Sequence, residues 1–276
     1  MKIGIVANQV KPVAKDIAEK IITYLHKLGV ETVYPRNIYD DNSEGDSLNN
    51  VDYIIVLGGD GTILGLVRVL GNKNIPILGV NLGSLGFIAE TDPNHFIDAL
   101  DSLIKGDFYI SERIMLKGSV YKEGSTAPKV YYSMNEFVVS KAENVRLLSI
   151  DTYINDEFLV NYKADGIIVA CSTGSTAYNL SAGGPVMHPG VKDYIITPIC
   201  PHTLSERPLI VPKTEVFAIK VAEGQKGLFT IDGQCNEIIT ENDLAKIEVS
   251  HDTVKLVEFN KAGFYHKLKS RLFWGK

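Results

Sequence analysis

The sequence predicts an α/β N-terminal domain with an open parallel sheet, followed by a second, all-β domain. Three observations carry that expectation. Residues 1–107 alternate short β-branched runs with apolar stripes at helical spacing, the pattern of a parallel sheet covered on both faces. Residues 108–257 change texture to short strand-like runs broken by turns. A glycine-rich turn, Gly58 to Thr62, joins a strand to a helix in the first part, where backbone amides gather around anions. The tail, 258–276, aromatic and basic from Phe264 to Trp274, is expected to return to the first domain.

Each element follows from local pattern. Lys2–Ala7 reads as a strand, and Ala14, Ile17, Ile21, Leu25 and Leu28 mark a helix that Gly29 closes. Val51–Leu57 is a buried strand; Ile63, Leu64, Leu66, Val67 and Leu70 are the inner face of the next helix. After the strand Ile75–Val80, Asp92 is expected to cap a helix with Pro93 at its first position. Its buried face would be Phe96, Ile97, Leu100, Leu103 and Ile104, ahead of Gly106. The second domain should hold strands at Met115–Tyr121, Lys129–Ser140, Leu147–Ile154 and Phe158–Tyr162, with a tight turn at Asn155-Asp156. Ile167–Ala170, Ile195–Ile199, Val216–Val221, Leu228–Ile231, Ala245–Val249 and Val254–Val257 continue it. The one obvious helix there is near Ser175–Ser181.

Composition narrows the function. With 45% hydrophobic and 22% charged residues, the 276-residue chain is of ordinary globular type. A net charge of −5 argues against a nucleic-acid partner, since no basic stripe displaces counterions. No apolar run reaches the roughly 20 residues of a membrane span, and the opening MKIGIVANQV lacks the regions of a signal peptide. Cys171, Cys200 and Cys235, odd in number and without CxxC spacing, read as free thiols. A cytoplasmic protein is expected.

The chemistry concentrates in loops. Gly58-Gly59-Asp60-Gly61-Thr62 lacks the lysine of a Walker A loop and is not GxGxxG. Its glycines allow close backbone approach and positive φ, while Asp60 is either a helix cap or a group addressing a hydroxyl or a metal beside bound phosphates. Asn81-Leu82-Gly83-Ser84-Leu85-Gly86-Phe87 follows the next strand, and both loops belong at the carboxyl ends of strands, where ligands bind. Lys163-Ala164-Asp165-Gly166 precedes the strand Ile167–Ala170, and the hydroxyl-rich run from Cys171 to Pro185 after it can admit a flat ring and a sugar; a tightly packed turn explains its glycines but not the density of hydroxyls. Asn135-Glu136 sets an amide beside a carboxylate, suited to vicinal hydroxyls but also to a solvated strand edge. Asp232-Gly233-Gln234 reads as a hairpin turn. No histidine shows metal-ligand spacing, and there is no GxSxG elbow.

Taken together, GGDGT at 58–62, NLGSLGF at 81–87, Asn135-Glu136, KADG at 163–166, GSTAYNLSAGGP at 174–185 and PHTLSERPL at 201–209 resemble a bacterial ATP-dependent NAD kinase, in order over nearly the whole chain. GGDGT alone is shared with phosphofructokinases and with diacylglycerol and sphingosine kinases. The resemblance implies a Rossmann-like nucleotide domain (1–107, with the tail 258–276 returning to it) and a β domain (108–257), with NAD bound between them. It implies transfer of the γ-phosphoryl of ATP to the 2′-hydroxyl of the adenosine ribose, with a divalent ion, Mg²⁺, carried by the donor, in a homotetramer or homodimer. It casts Asp60 as catalytic base and Gly61 as its neighbour at the nucleotide, with Asn135 and Glu136 holding a ribose. It places Arg146, Lys163, Asp165, Thr176, Ala177, Tyr178, Asn179, Leu180, Ser181 and Gln234 at binding positions. The competing readings are a lipid or sugar kinase on the same loop, and a non-enzymatic NAD sensor, which the intact Asp60 disfavours.

Overall fold

The computed structural model describes residues 1–35, 47–71, 73–83, 86–142, 147–260 and 263–272. It divides into two units, Met1–Glu112 with Thr253–Lys276, and Arg113–Asp252.

The first unit begins with β1 (Lys2–Ala7), α1 (Pro12–Lys27), β2 (Glu31–Val33), β3 (Tyr53–Gly58), α2 (Asp60–Leu70), β4 (Ile77–Asn81) and α3 (Phe96–Lys105). The strands pair in parallel in the order β2-β1-β3-β4. The chain leaves β1 toward opposite edges through β2 and β3, so the switch point lies between β1 and β3. The carboxyl ends there are the ligand-binding edge of such sheets. Ala14, Ile17, Ile21 and Leu25 of α1, with Leu100 and Leu103 of α3, bury against Ile3, Ile5, Ile55, Leu57, Leu78 and Val80 on one face. Gly79 points to the other face. A methyl there would meet Ile63 of α2 at 2.7 Å, so α2 covers that face closely.

The second unit runs through β5 (Tyr109–Tyr121, begun in the first unit), β6 (Lys129–Ser133), β7 (Glu136–Lys141), β8 (Leu148–Ile154), β9 (Glu157–Ala164) and β10 (Gly166–Cys171). A 3₁₀ turn at Gly174–Thr176 and the short α4 (Tyr178–Ser181) follow. Next come β11 (Tyr194–Ile199), β12 (Leu209–Val211), β13 (Phe217–Val221), β14 (Lys226–Ile231), β15 (Cys235–Thr240) and β16 (Leu244–Glu258). One antiparallel sheet has the order β12-β11-β10-β7-β14-β15, and another sets β13 between β16 and β8, with β9 beyond. Phe137 and Phe229 of the first sheet stack at 5.1 Å and share an apolar core with Ile150, Phe217, Ile219 and Ile247 of the second, which makes the unit a sandwich. β16 ends in the first unit, where Leu256 pairs in parallel with Ile77, and α5 (Gly263–Leu272) closes the described chain.

Several expectations need correction. Asp92 does not cap α3: its carboxylate accepts the Asn94 amide in a turn of its own, and the helix starts three residues after Pro93, at Phe96. Leu28 and Ile97, expected on buried stripes, are 49% and 46% exposed: Leu28 is the C-cap beyond the end of α1, and Ile97 lies off the narrower buried stripe of α3. Lys129–Ser140 is two strands broken at Met134-Asn135, whereas Ala245–Val249 and Val254–Val257 fuse into β16. β2, β12 and β15 were not legible, the first two being three residues long and the third carrying the adjacent polar pair Asn236-Glu237 in place of alternation. Asn155 and Asp156 do form the expected turn, at φ 51° and 67°.

Candidate active site

The Gly58–Thr62 turn sits at the carboxyl end of β3 and opens α2. None of its glycines needs positive φ. Gly58 is required by contact instead, since a methyl there would fall 2.2 Å from the Thr62 hydroxyl. That hydroxyl accepts the Asn8 side-chain amide at 3.0 Å, tying the end of β1 to the turn. Gly59 is the helix cap and has open space where a side chain would stand. A pocket of about 400 Å³ opens at the same sheet end, lined by Asn8, Lys11, Lys15 and Tyr34 among others.

Asp60 is the first residue of α2, not its cap. Its carboxylate lies in a socket of backbone amides: Phe87 donates to Oδ2 at 2.7 Å, Ala89 to Oδ1 at 3.1 Å, and Ile88 to both at 3.2 Å. Three donors leave roughly one of the about four acceptor positions of a carboxylate open. Gly86 makes the socket possible, because a methyl on it would stand 2.0 Å from Oδ2. The segment is itself moored: the amides of Glu90 and Thr91 both donate to Gly79 O, at 3.0 and 3.2 Å.

In the second unit Asn135 precedes β7 and Glu136 starts it, and β7 pairs antiparallel with β10 so that Glu136 faces Ala170. Asn135 O accepts the Cys171 amide at 2.9 Å, and Gly174 passes so close that a methyl on it would fall 2.1 Å from that oxygen. The loop after β10 is therefore pressed onto Asn135. Beneath it lies Asp232, 7% exposed. Its carboxylate accepts the Ser133 hydroxyl at 2.6 Å and the amides of Met134, Asn135 and Glu136 at 2.9 to 3.2 Å. Burial pushes the Asp232 carboxyl up against the opposing pull of these bonds. Glu136 is 5% exposed, and burial, then the charge of Asp232, raise its carboxyl to about 8. Glu136 Oε2 and the Thr173 hydroxyl are both buried with no hydrogen-bond partner among the described residues.

The remaining sequence candidates fall unevenly. Gly61 lies in the first turn of α2, and Arg146 lies outside the described residues. Lys163 is exposed on β9, while Asp165 accepts Lys141 Nζ at 2.8 Å. Thr176 donates to Thr173 O, Ala177 caps α4, and Tyr178 is 46% exposed. Leu180 is partly covered, and Ser181 and Gln234 are exposed. Asn179 is fully buried: its amide donates to Ser175 O and Pro185 O, and its oxygen accepts the Thr197 hydroxyl. With those three bonds its side chain is a keystone of the loop. Gly184 must be glycine to lie against it, a methyl there falling 2.0 Å from Asn179 Oδ1. Sequence reasoning missed Asp232, taken only as a turn residue, and also Thr173 and the 86–91 socket. The hydroxyl density around Thr173 was the one available signal.

Comparison with known proteins agrees with this arrangement. The ATP-NAD kinase N-terminal domain model matches residues 40–108, and the ATP-NAD kinase C-terminal domain model matches 134–259. The NAD kinase of Syntrophotalea carbinolica is 35% identical over 100% of this chain and 99% of its own length. That of Ruminiclostridium cellulolyticum is 36% identical over 99% and 98%. The crystal structure of yeast NADH kinase complexed with NADH superposes with a TM-score of 0.91 at 27% identity, covering 100% of this chain and 88% of that one. An Archaeoglobus fulgidus NAD kinase in complex with ATP shares the fold, with a TM-score of 0.78 at 24% identity. Family models on both units and full-length relatives above a third identical lead to one conclusion: the chain belongs to the NAD kinase family.

Proposed function

We propose that this chain transfers the γ-phosphoryl group of ATP to the 2′-hydroxyl of the adenosine ribose of NAD, giving NADP and ADP. Beyond family membership, one observation carries the reading. Glu136 and Thr173 hold buried oxygens without a partner among the described residues at the same end of β7 and β10, and such groups are costly unless a ligand's polar atoms complete them. Hydroxyls of a ribose supply that complement. Asn135, its backbone pinned by Asp232 and Cys171, directly precedes Glu136 in the chain.

Asp60 acts on the attacking hydroxyl. The oxygen of the 2′-hydroxyl bonds to the γ-phosphorus, the bond from that phosphorus to ADP breaks, and the hydroxyl proton passes to the open acceptor position of Asp60. The transition state of such transfers is loose, so position counts for more than basicity, and a carboxylate fixed by three amides supplies position. Those amides are also what allow a carboxylate to stand near phosphates: they offset its charge. The described residues contain no cluster of three or more His, Cys, Asp or Glu side chains able to hold a metal alone. Mg²⁺ carried on the ATP phosphates would neutralise charge on the transferring group. Arg146, Lys163, Asp165, Thr176 to Ser181 and Gln234 belong to the NAD and nucleotide contacts in this reading. Asn179 serves by holding the loop. The enzyme works in the cytoplasm as a homo-oligomer.

The test is direct. Purified protein with ATP, Mg²⁺ and NAD should yield NADP, and withdrawal of Mg²⁺ by a chelator should stop it. Phosphorylation of diacylglycerol or a sugar phosphate, with NAD left unchanged, would replace the reading by the other kinase class that shares GGDGT.

A further inference from the structure

We propose that Lys267, on the C-terminal helix α5, is a positioning residue for Asp60 and acts through Glu90. The inference rests on the role given to Asp60 above. Its starting point is the socket: the amides holding Asp60 belong to Phe87, Ile88 and Ala89, and the next residue is Glu90. The Glu90 carboxylate reaches the returning tail. Its Oε1 accepts the Phe259 amide at 3.0 Å, and its Oε2 accepts Lys267 Nζ at 3.1 Å. Both side chains of that ion pair are 9% exposed. A pair so buried holds its geometry, because separating it leaves an uncompensated charge away from water.

Besides Asp60 itself, the segment is moored to β4 and to the tail. On β4 the Gly79 carbonyl takes the amides of Glu90 and Thr91, and its missing side chain leaves room for Ala89. The Asn81 amide of β4 also donates to Thr91 O at 2.8 Å. Without Lys267 the segment would carry one buried anion unmatched, with a second, Asp60, bonded to the three preceding amides. Glu90 would then turn toward water and draw Ala89 and Ile88 with it, opening the socket. The terminal helix, far along the chain from the Gly58–Thr62 turn, thus sets the place of the group that meets the substrate hydroxyl.

The experiment uses the full-length enzyme with Lys267→Met, Lys267→Arg and the double variant Glu90→Gln/Lys267→Met, each alone and with Asp60→Asn. The double variant removes the ion pair without leaving a buried charge and keeps an acceptor for Phe259, so it serves if Lys267→Met does not fold. Steady-state turnover and thermal melting are read together. Loss of the ion pair should lower kcat about 10- to 100-fold, the scale of a misplacement near 1 Å, with KM for NAD changed by about twofold or less. Lys267→Arg should recover most of kcat. In the Asp60→Asn background the Lys267 variants should lower the residual rate no further. A folded variant with normal kcat, or an equal fold-loss added to that of Asp60→Asn, overturns the inference. Normal turnover by Asp60→Asn would instead remove the role of Asp60, a result separable from a silent Lys267→Met beside a crippled Asp60→Asn.

Discussion

A carboxylate at the mouth of a glycine-rich, anion-attracting turn needs an explanation, and Asp60 receives it from its neighbours. The helix N-terminus favours its charge, and the amides of residues 87–89 take most of its lone pairs. Asp60→Asn is therefore not a silent change of shape: whichever way the amide turns, an NH₂ group meets a donor. Turnover should fall by about 10²–10⁴-fold, the range of a positioned general base, with NAD affinity little changed. Near-normal kcat for Asp60→Asn would leave it a purely structural anchor. Glu136 gives a prediction in pH. Its folded value, about 8, lies above the 4.5 of the free side chain, so the folded state holds a proton that the unfolded chain releases. That contribution to stability is full below about 4.5 and is lost as pH rises through about 8, with a slope of at most about 1.4 kcal/mol per pH unit. Melting of the ligand-free protein should accordingly fall more steeply over that window than melting of Glu136→Gln. Parallel profiles would remove the shifted carboxyl. Near neutrality Glu136 meets a ligand as a neutral donor, so Glu136→Ala should weaken NAD binding by about 0.5–1.5 kcal/mol, measurable by calorimetry.

At the scale of elements, the site is a set of turns whose glycines are demanded by neighbours. Gly86 is the sharpest case, since its absent side chain is occupied by the Asp60 carboxylate. Gly86→Ala should reproduce most of the kcat loss of Asp60→Asn in a protein that still folds, because the clash is confined to one loop. Full activity in Gly86→Ala would show the socket to be dispensable. The loop after β10 depends on Asn179 in the same way, through three buried side-chain bonds. Asn179→Ala strands the Thr197 hydroxyl and two carbonyls, and each buried group left unpaired costs about 1–3 kcal/mol. Thermal melting should therefore drop markedly, and a variant melting within a degree of wild type would contradict the keystone role.

At the scale of the molecule, each unit carries its own apolar core and its own share of the chemistry. The β unit also leaves large apolar side chains on its surface: Phe158 is 60% exposed, Ile210 51%, and Leu209 and Leu159 about 40%. The edge strand β12 contributes two of them, an arrangement that sheets otherwise avoid or cover. Sedimentation at micromolar protein should give a mass that is a multiple of 30.3 kDa. A single monomer species across a wide concentration range would rule the assembly out.

Local pattern by itself determined the alternation of strands and helices before residue 108, the β texture after it, and the motifs by which the family is known. These depend on periodicity and on runs of neighbouring residues, which any sequence displays. The tight turns at Asn155-Asp156 and Asp232-Gly233 were legible for the same reason, as dipeptides that tolerate positive φ. What the tertiary structure alone decided is who meets whom. Asp232 reads as an ordinary turn residue until its burial beneath Ser133 to Glu136 turns it into the anchor of that segment and the charge that helps raise Glu136. Asn179 reads as one more polar residue of a ligand loop until its bonds to Ser175, Pro185 and Thr197 are seen. Asp60 is legible as important, but its partners lie 27 to 29 residues away, and those of Glu90 169 and 177 residues away. Burial and long-range hydrogen bonding are properties of the packed chain, set when distant segments share one low-dielectric interior, and no window of sequence contains them.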